Sequence, residues 1–429
     1  MSTSEIRSIL AEVAAEYGTP AYAYSLPQIE ERTRSVYRSF GERLSISYAA
    51  KSNPNPVLLR ELRGLVDYLD VSSGGEIALG LAAGWSPDQI SFTGPAKTDE
   101  ELRAAIDAGI AHVIVESVEE ARRLGRLALE RDAEQHVLIR VAPQDVPKGF
   151  GARMSGRATQ FGIAEEDAGE ALAVILEEPR LTVDGFHSYS GTQCLEAESI
   201  VANYRNMARI FLELSSRLER PPAHLVFGSG LGVPYHAGQE PLDLAEVARD
   251  TAGVLDDIEA ALGAGTTKLV LETGRYLVGE AGYYLTRVIE IKESRGKKIA
   301  ICDGGMNHHL AASGNLGAVI HRNYPFFAVT ADTESPERDV YQVVGPLCTS
   351  IDTLGQGVEL PVLKAGDVIA ISSSGAYGLT TSPIHFISHS APREVLVRGT
   401  GSARTLSDIS SLVAGPAAWA GLMDEGSGQ

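Results

Sequence analysis

The sequence predicts an α/β fold, a closed (β/α)8 barrel joined to a β-rich C-terminal domain, and three observations carry that prediction. Eight short β-branched runs alternate with helical segments from about residue 45 onward. Each run ends on a polar residue or a glycine. Beyond about residue 280 strands follow one another without helices between them, the texture of an antiparallel or mixed sheet.

The first run, SISYAAK, delivers Lys51 at its end and is stopped by the two Asn-Pro pairs of SNPNP, which can continue neither strand nor helix. DYLDVS, ISFTG, HVIVES and HVLIRVAP follow, presenting Asp70, Gly94, Glu116 and Arg140. VDGFHSYSG carries His187 and Tyr189, HLVFGSG ends at Gly228, and KLVLETG ends at Glu272. Between them TDEELRAAIDAG, SVEEARRLGRLALERD and LAEVARDTAGVLDDIEAALG repeat apolar residues at i, i+3 and i+4, the period of an amphipathic helix. In a parallel barrel the C-terminal strand ends converge on one face, where such folds keep their chemistry.

The opening stretch MSTSEIRSILAEVAAEYGTP carries charges inside its apolar periodicity and reads as an amphipathic helix, not a secretion signal. The later runs YYLTRVIEIKES, KKIAICDGG, RDVYQVVGP, DVIAISSSGAYG and REVLVRG make up the β-domain. The expected division is a barrel over residues 27–275, with 1–26 joining 276–429 in the second domain. The last thirty residues, rich in Gly, Ser and Ala, read as a loosely held tail or one short docking helix.

A formal charge of -19 argues against nucleic acid or an anionic membrane surface as partner, since both need clustered cations. Three scattered cysteines, Cys194, Cys302 and Cys348, form neither a disulfide framework nor a CxxC metal site. With no apolar run of membrane-spanning length, a reducing cytoplasm is the expected location. No metal is expected.

Two features point to a cofactor. FGSGLGVPY, residues 227–235, places small residues directly after a strand, where backbone N–H groups can cradle a phosphate. Lys51, partly desolvated in a barrel mouth, becomes an amine suited to Schiff-base chemistry. Together they suggest pyridoxal phosphate, while a Lys51 that only salt-bridges Asp70 or Glu272 is equally compatible with the spacing.

The motifs YAAKSNP, DVSSGGEIALGLAAG, FGSGLGVPY, LETGRYLVGEAG, DGGMN, GPLCTSID and SGAYG occur in that order over residues 20 to 400. In this the chain resembles the fold type III pyridoxal-phosphate decarboxylases, the ornithine and diaminopimelate decarboxylase group, whose barrel is alanine racemase-like. The resemblance implies that Lys51 holds the cofactor covalently and that Glu272 pairs with its pyridine nitrogen, making the ring a full electron sink. It implies that Gly228, Ser229, Gly230, Gly274, Arg275 and Tyr377 bind the phosphate side. Asp70, Arg140, His187, Tyr189 and Thr192 complete the cofactor shell. It further implies a homodimer with shared sites, in which Cys348 reaches the other subunit's site and protonates the product.

The chain also departs from that pattern. Where the family stacks a histidine on the cofactor ring, FHSYSGTQ offers Tyr189, with Thr192 in place of a serine. Thr349 follows Cys348 where diaminopimelate or ornithine enzymes keep an acid for a distal ammonium. His308 and His309 stand in DGGMNHHLAASGNLG. As neighbours in a strand they would point to opposite faces and favour a polar pocket wall over a metal site.

These departures resemble a natural-product branch typified by the butirosin-pathway decarboxylase, which acts on an amino acid tethered through its side chain to an acyl carrier protein. The expected activity is α-decarboxylation of a glutamyl- or aspartyl-type unit (methylaspartyl included) so tethered. Thr349, Asp352, His308, His309, Arg322 and Tyr377 are the expected substrate contacts, and Lys148, Arg153, Arg157 and Arg322 a basic rim for the carrier. Alternative readings are decarboxylation of free diaminopimelate or a basic amino acid, and a non-catalytic homologue that binds pyridoxal phosphate.

Overall fold

The computed structural model describes residues 2–314, 322–331 and 336–410. They form two compact units. One holds the described residues up to Arg32, Val233–Glu240 and those from Arg275 onward; the other holds Thr33–Gly232 and Pro241–Gly274. The sequence division did not foresee that 233–240 leaves the barrel unit. The C-terminal tail read from composition lies outside the described residues.

Helix α1 (Thr3–Glu16) starts where Ser2 accepts the Glu5 N–H, and strand β1 (Ala21–Ser25) follows. Then helices alternate with parallel strands: α2 (Leu26–Phe40), β2 (Ser45–Ala49), α3 (Pro56–Leu62), β3 (Tyr68–Val71), α4 (Gly74–Ala82), β4 (Ile90–Phe92), α5 (Asp99–Ala108), β5 (His112–Val115), α6 (Val118–Glu130), β6 (Gln135–Ala142), α7 (Ala168–Leu176), β7 (Leu181–Ser188), α8 (Ala197–Ser215), β8 (His224–Gly228), α9 (Leu244–Leu262) and β9 (Lys268–Thr273). Strands β2 to β9 pair in the order β5-β4-β3-β2-β9-β8-β7-β6, and β5 pairs with β6 to close the barrel. All eight runs read from the sequence are barrel strands.

Local chemistry explains where the helices begin. Thr98 and Glu101 form a reciprocal capping box at α5, and Ser73 and Ser117 cap α4 and α6, each satisfying backbone N–H groups a helix start leaves free. The helices bury one apolar face, exemplified by Leu102, Ala105 and Ile106 of α5. Inside the barrel Ile114, Leu138, Val226 and Val270 pack into one apolar layer with Tyr68 against it.

Because strand side chains alternate with period two, each of these four residues separates two further positions on the same face of its strand, all polar but Gly228. Below the layer lie His112, His136, His224 and Lys268. Above it lie Glu116, Arg140, Gly228 and Glu272.

The other unit is a mixed sheet. Strands β10 (Gly282–Ser294), β11 (Lys297–Cys302), β12 (Phe326–Ala328), β13 (Arg338–Val344), β14 (Thr353–Pro361), β15 (Val368–Ile371), β16 (Arg393–Arg398) and β17 (Thr405–Asp408) join β1 in the order β14-β13-β11-β10-β1-β16-β17, with β15 on β10 and β12 on β15. Helix α1 covers it through Leu10 and Val13, which pack on Ala21, Leu285, Val368 and Val395. The sequence reading missed β14, whose TLGQGVELP is interrupted by two glycines, and missed β1, which pairs parallel with β16 nearly 370 residues away.

Replacing Thr98 by Ala removes the α5 cap and is expected to cost about 1 kcal/mol of stability. A lowered thermal midpoint with unchanged cofactor binding checks this.

Candidate active site

Lys51 is presented not by the strand itself but by a single 3-10 turn, Ala50–Ser52, that follows β2. The turn is locked locally: Ser52 Oγ donates to Ala49 O at 2.9 Å, and Tyr48 OH donates to Asn53 O at 3.1 Å. Asn55, fully buried, caps α3 by accepting from Val57 N at 3.1 Å and Leu58 N at 3.4 Å, with Pro56 at its first position. The Asn-Pro pairs thus end the strand and start the next helix in one step.

Register then fixes the neighbours of Lys51. Ala49 pairs with Asp70 on β3, while Ser47 pairs with Glu272 on β9. The Lys51 ammonium lies 3.7 Å from Asp70 Oδ2 and 3.6 Å from Glu272 Oε1, and both carboxylates are almost fully buried.

The two acids respond oppositely to one shared cation. Burial, reinforced by the charge of Glu272, pushes Asp70 up to about 8. Burial opposes ionisation of Glu272 too, but Lys51 and a hydrogen bond from His187 outweigh it and hold Glu272 down at about 2. His187 Nε2 sits 2.8 Å from Glu272 Oε2. Burial lowers its pKa, so the neutral ring donates that bond.

Asp70 accepts from the hydroxyl of Thr93. Arg140, paired in register with His187, is committed to Glu116 at 3.0 Å and lies over the Phe161 ring. Its charge acts on both His187 and Glu272.

The glycine loop after β8 is shaped by close approach. Ser229 N donates to Glu272 O at 2.9 Å, and Tyr204 OH of α8 donates to Ser229 O at 2.7 Å. A Cβ on Gly228 would stand 2.3 Å from the Tyr189 ring, and Gly230, at φ +67, faces Phe150. Tyr189 is in turn 5.7 Å from the Lys51 ammonium, measured to its ring centre. Gly274 has no room for a side chain either: a Cβ there would meet Ser52 Oγ at 2.6 Å and Ala49 O at 2.9 Å. Thr192 belongs to a short ladder with Ala152–Arg153, which ties the basic loop to the Tyr189 segment.

Within the other unit, Arg275 donates to Tyr235 OH at 3.0 Å and its guanidinium lies 4.6 Å from the centre of the Tyr377 ring. Tyr377 is held at φ +52 in SGAYG.

Two expectations change here. His308 and His309 lie in a turn after β11, not in a strand, and both are buried. His309 bonds Ser374 Oγ at 2.9 Å and accepts Ala312 N at 3.2 Å. Burial holds His309 at about 3 and His308 at about 4, so both rings are neutral.

Asp352, expected to touch substrate, instead accepts Met306 N at 2.7 Å and Leu347 N at 2.8 Å. It ties the DGGM turn to the loop bearing Cys348. Cys348 is an exposed free thiol, Thr349 is half-buried and Arg322 is exposed.

The barrel residues fit pyridoxal phosphate. Glu272 Oε1 and Asp70 Oδ2 are buried and accept no hydrogen bond among the described residues, a cost that a bound donor would relieve. The glycine loop offers bare backbone beside them. Sequence reasoning missed Thr93 and Tyr204, partners that no local motif marks, and gave no role to Glu116 or Tyr235, which its strand-end and glycine-loop motifs contain.

Residues 26–279 match the family model described as "Pyridoxal-dependent decarboxylase, pyridoxal binding domain". The chain is 34% identical over 396 residues to the L-glutamyl-[BtrI acyl-carrier protein] decarboxylase of Niallia circulans, covering 90% of this chain and 91% of that one. It is also 34% identical over 392 residues to a diaminopimelate decarboxylase of Methanothermobacter thermautotrophicus, covering 90% and 88%. Among solved structures, diaminopimelate decarboxylase of Helicobacter pylori complexed with L-lysine superposes with a TM-score of 0.82 at 27% identity, over 97% of this chain and 100% of that one.

Two outcomes follow from the geometry. Gly228→Ala forces the Tyr189 ring aside, an overpacking cost of about 1–3 kcal/mol. It is expected to weaken cofactor binding roughly ten- to a hundredfold in a spectroscopic titration. In the cofactor-free protein, Asp70 has a folded pKa above its unfolded one, so its contribution is full below about pH 4 and is lost as pH rises through about 8. Wild type should therefore lose stability relative to Asp70→Asn across that window, by at most about 1.4 kcal/mol per pH unit, as followed by urea unfolding.

Proposed function

The chain belongs to the pyridoxal-dependent decarboxylases, and from that premise we propose that it removes the α-carboxylate of a glutamyl- or aspartyl-type unit carried as a side-chain thioester on an acyl carrier protein. Pyridoxal phosphate is the cofactor, and when bound it supplies an electron sink for the carbon that loses CO2.

The chain's own residues divide the remaining work. Lys51 would hold the cofactor through its amine, beside Asp70 and Glu272. Glu272, ionised and oriented by the His187 bond, would hold a proton on the pyridine nitrogen. Tyr189, apolar in body and unable to carry a cation, would pack against the bound ring. The glycine loop Gly228–Gly230, with Gly274, would receive the phosphate. Cys348 delivers a proton to the carbon in the site of a second subunit, which makes a homodimer the working form.

One observation carries the substrate assignment. The loop after Cys348 offers no acid to a distal ammonium: Thr349 is neutral, and both oxygens of Asp352 are taken by backbone N–H groups. A distal end masked as a thioester needs no such acid. The similarity to the glutamyl-carrier decarboxylase supports this reading. So does the exposed basic loop with Lys148, Arg153 and Arg157, which is tied to the Tyr189 segment through Thr192 and would suit an acidic carrier.

Free diaminopimelate is the second reading, favoured by the equally similar diaminopimelate decarboxylase. CO2 release from glutamyl-loaded carrier, free glutamate and free meso-diaminopimelate separates the two. Turnover of the loaded carrier is expected, and turnover of free diaminopimelate alone would overturn the proposal. Reversing charge at Arg153 and Arg157 together should raise KM for the loaded carrier roughly tenfold while leaving kcat near its original value.

A further inference from the structure

At the N-terminal end of the barrel, below the apolar layer, titratable side chains gather from four adjacent strands. His112 opens β5, His136 lies on β6, Asp184 on β7, and His224 opens β8. One oxygen of Asp184, Oδ2, is 3.3 Å from His112 Nε2 and 2.8 Å from His136 Nδ1. The His224 ring stands edge-on to His112, with ring centres 4.7 Å apart. A hydrogen-bonded network built on Asp184 accounts for His112 and His136 but not for His224. His224 Nδ1 is buried and has no hydrogen-bond partner among the described residues. Leaving a ring nitrogen buried and unpaired is costly.

We propose that His112, Asp184 and His224 bind a divalent transition-metal ion of the zinc class. One ligand atom from each lies within 4.8 Å of the others. Ligands about 2.1 Å from a tetrahedral ion stand about 3.4 Å apart. The His112–Asp184 pair is already at that spacing, so a small rotation of His224 closes the set. Two imidazoles and a carboxylate select zinc, cobalt or nickel over magnesium or calcium, which prefer oxygen. His136, which is exposed, or water completes the coordination.

Arg220, 3.6 Å from Asp184 Oδ1, and Lys268 border the cluster, and both side chains reach solvent. The Ile114, Leu138, Val226 and Val270 layer lies between this end and Glu272, leaving past it only a narrow cavity of about 20 Å³. The ion therefore staples strands β5, β7 and β8 and takes no part in decarboxylation.

The test uses enzyme loaded with pyridoxal phosphate, dialysed against chelator and titrated with Zn2+ or Co2+. Expected are one ion per chain, visible-region Co2+ bands of a four-coordinate nitrogen and oxygen site, and a thermal midpoint raised by Zn2+. Asp184→Asn and His224→Gln should each weaken binding at least about tenfold, a loss of about 1.4 kcal/mol, with the rate of CO2 release unchanged.

Absence of stoichiometric binding and of Zn2+ stabilisation in wild type would overturn the proposal. So would Asp184→Asn binding as tightly as wild type. Should either variant fail to fold, as judged by loss of bound cofactor, the wild-type Co2+ spectrum and stoichiometry decide alone, because a six-coordinate spectrum typical of loosely held surface ions would refute the site.

Discussion

One ammonium placed between two buried carboxylates organises the barrel end of this protein. Lys51 lies within 3.7 Å of Asp70 and 3.6 Å of Glu272, and neither acid could be buried at such cost without it. The cation cannot serve both equally. Glu272, which also receives the His187 bond, keeps its charge. Asp70, left with burial and a like charge nearby, holds its proton into the neutral range. An asymmetric pair of this kind leaves one ionised carboxylate beside the lysine amine.

The arrangement rests on register, not on side-chain reach. Slipping β2 by one residue would send its inward side chains to the opposite face and take the Lys51 turn out of line with Asp70 and Glu272. Gly274 guards the same alignment from the other side, since the Ser52 turn packs directly on it. The helix cap at Asn55 fixes where the turn must end. Strand register, turn, cap and one close glycine contact therefore act on a single coordinate, the position of the lysine amine.

Much of this was legible in the chain. Alternation of β-branched runs with amphipathic segments gave all eight barrel strands, and strand-end residues named Lys51, Asp70 and Glu272. Strands without local contrast were not legible. Strand β1 is a short apolar run that pairs only with distant partners, and β14 carries two glycines in its middle. Among site residues, His309 and Asp352 were found as polar residues in informative motifs, yet their roles differed from expectation because their partners, Ser374, Met306 and Leu347, come from other turns.

By itself the sequence determined the fold class, the order of the barrel strands along the chain and the lysine and glutamate that stand at the ends of two of them. These follow from periodicity and from residue types that strand ends and glycine turns require, both local properties. The tertiary structure decided which carboxylate keeps its charge, which acid is spent on backbone N–H groups and which histidines meet at the opposite barrel end. Those outcomes depend on distances between residues tens to hundreds of positions apart, and only the closed register of the barrel and the packing of its turns set such distances.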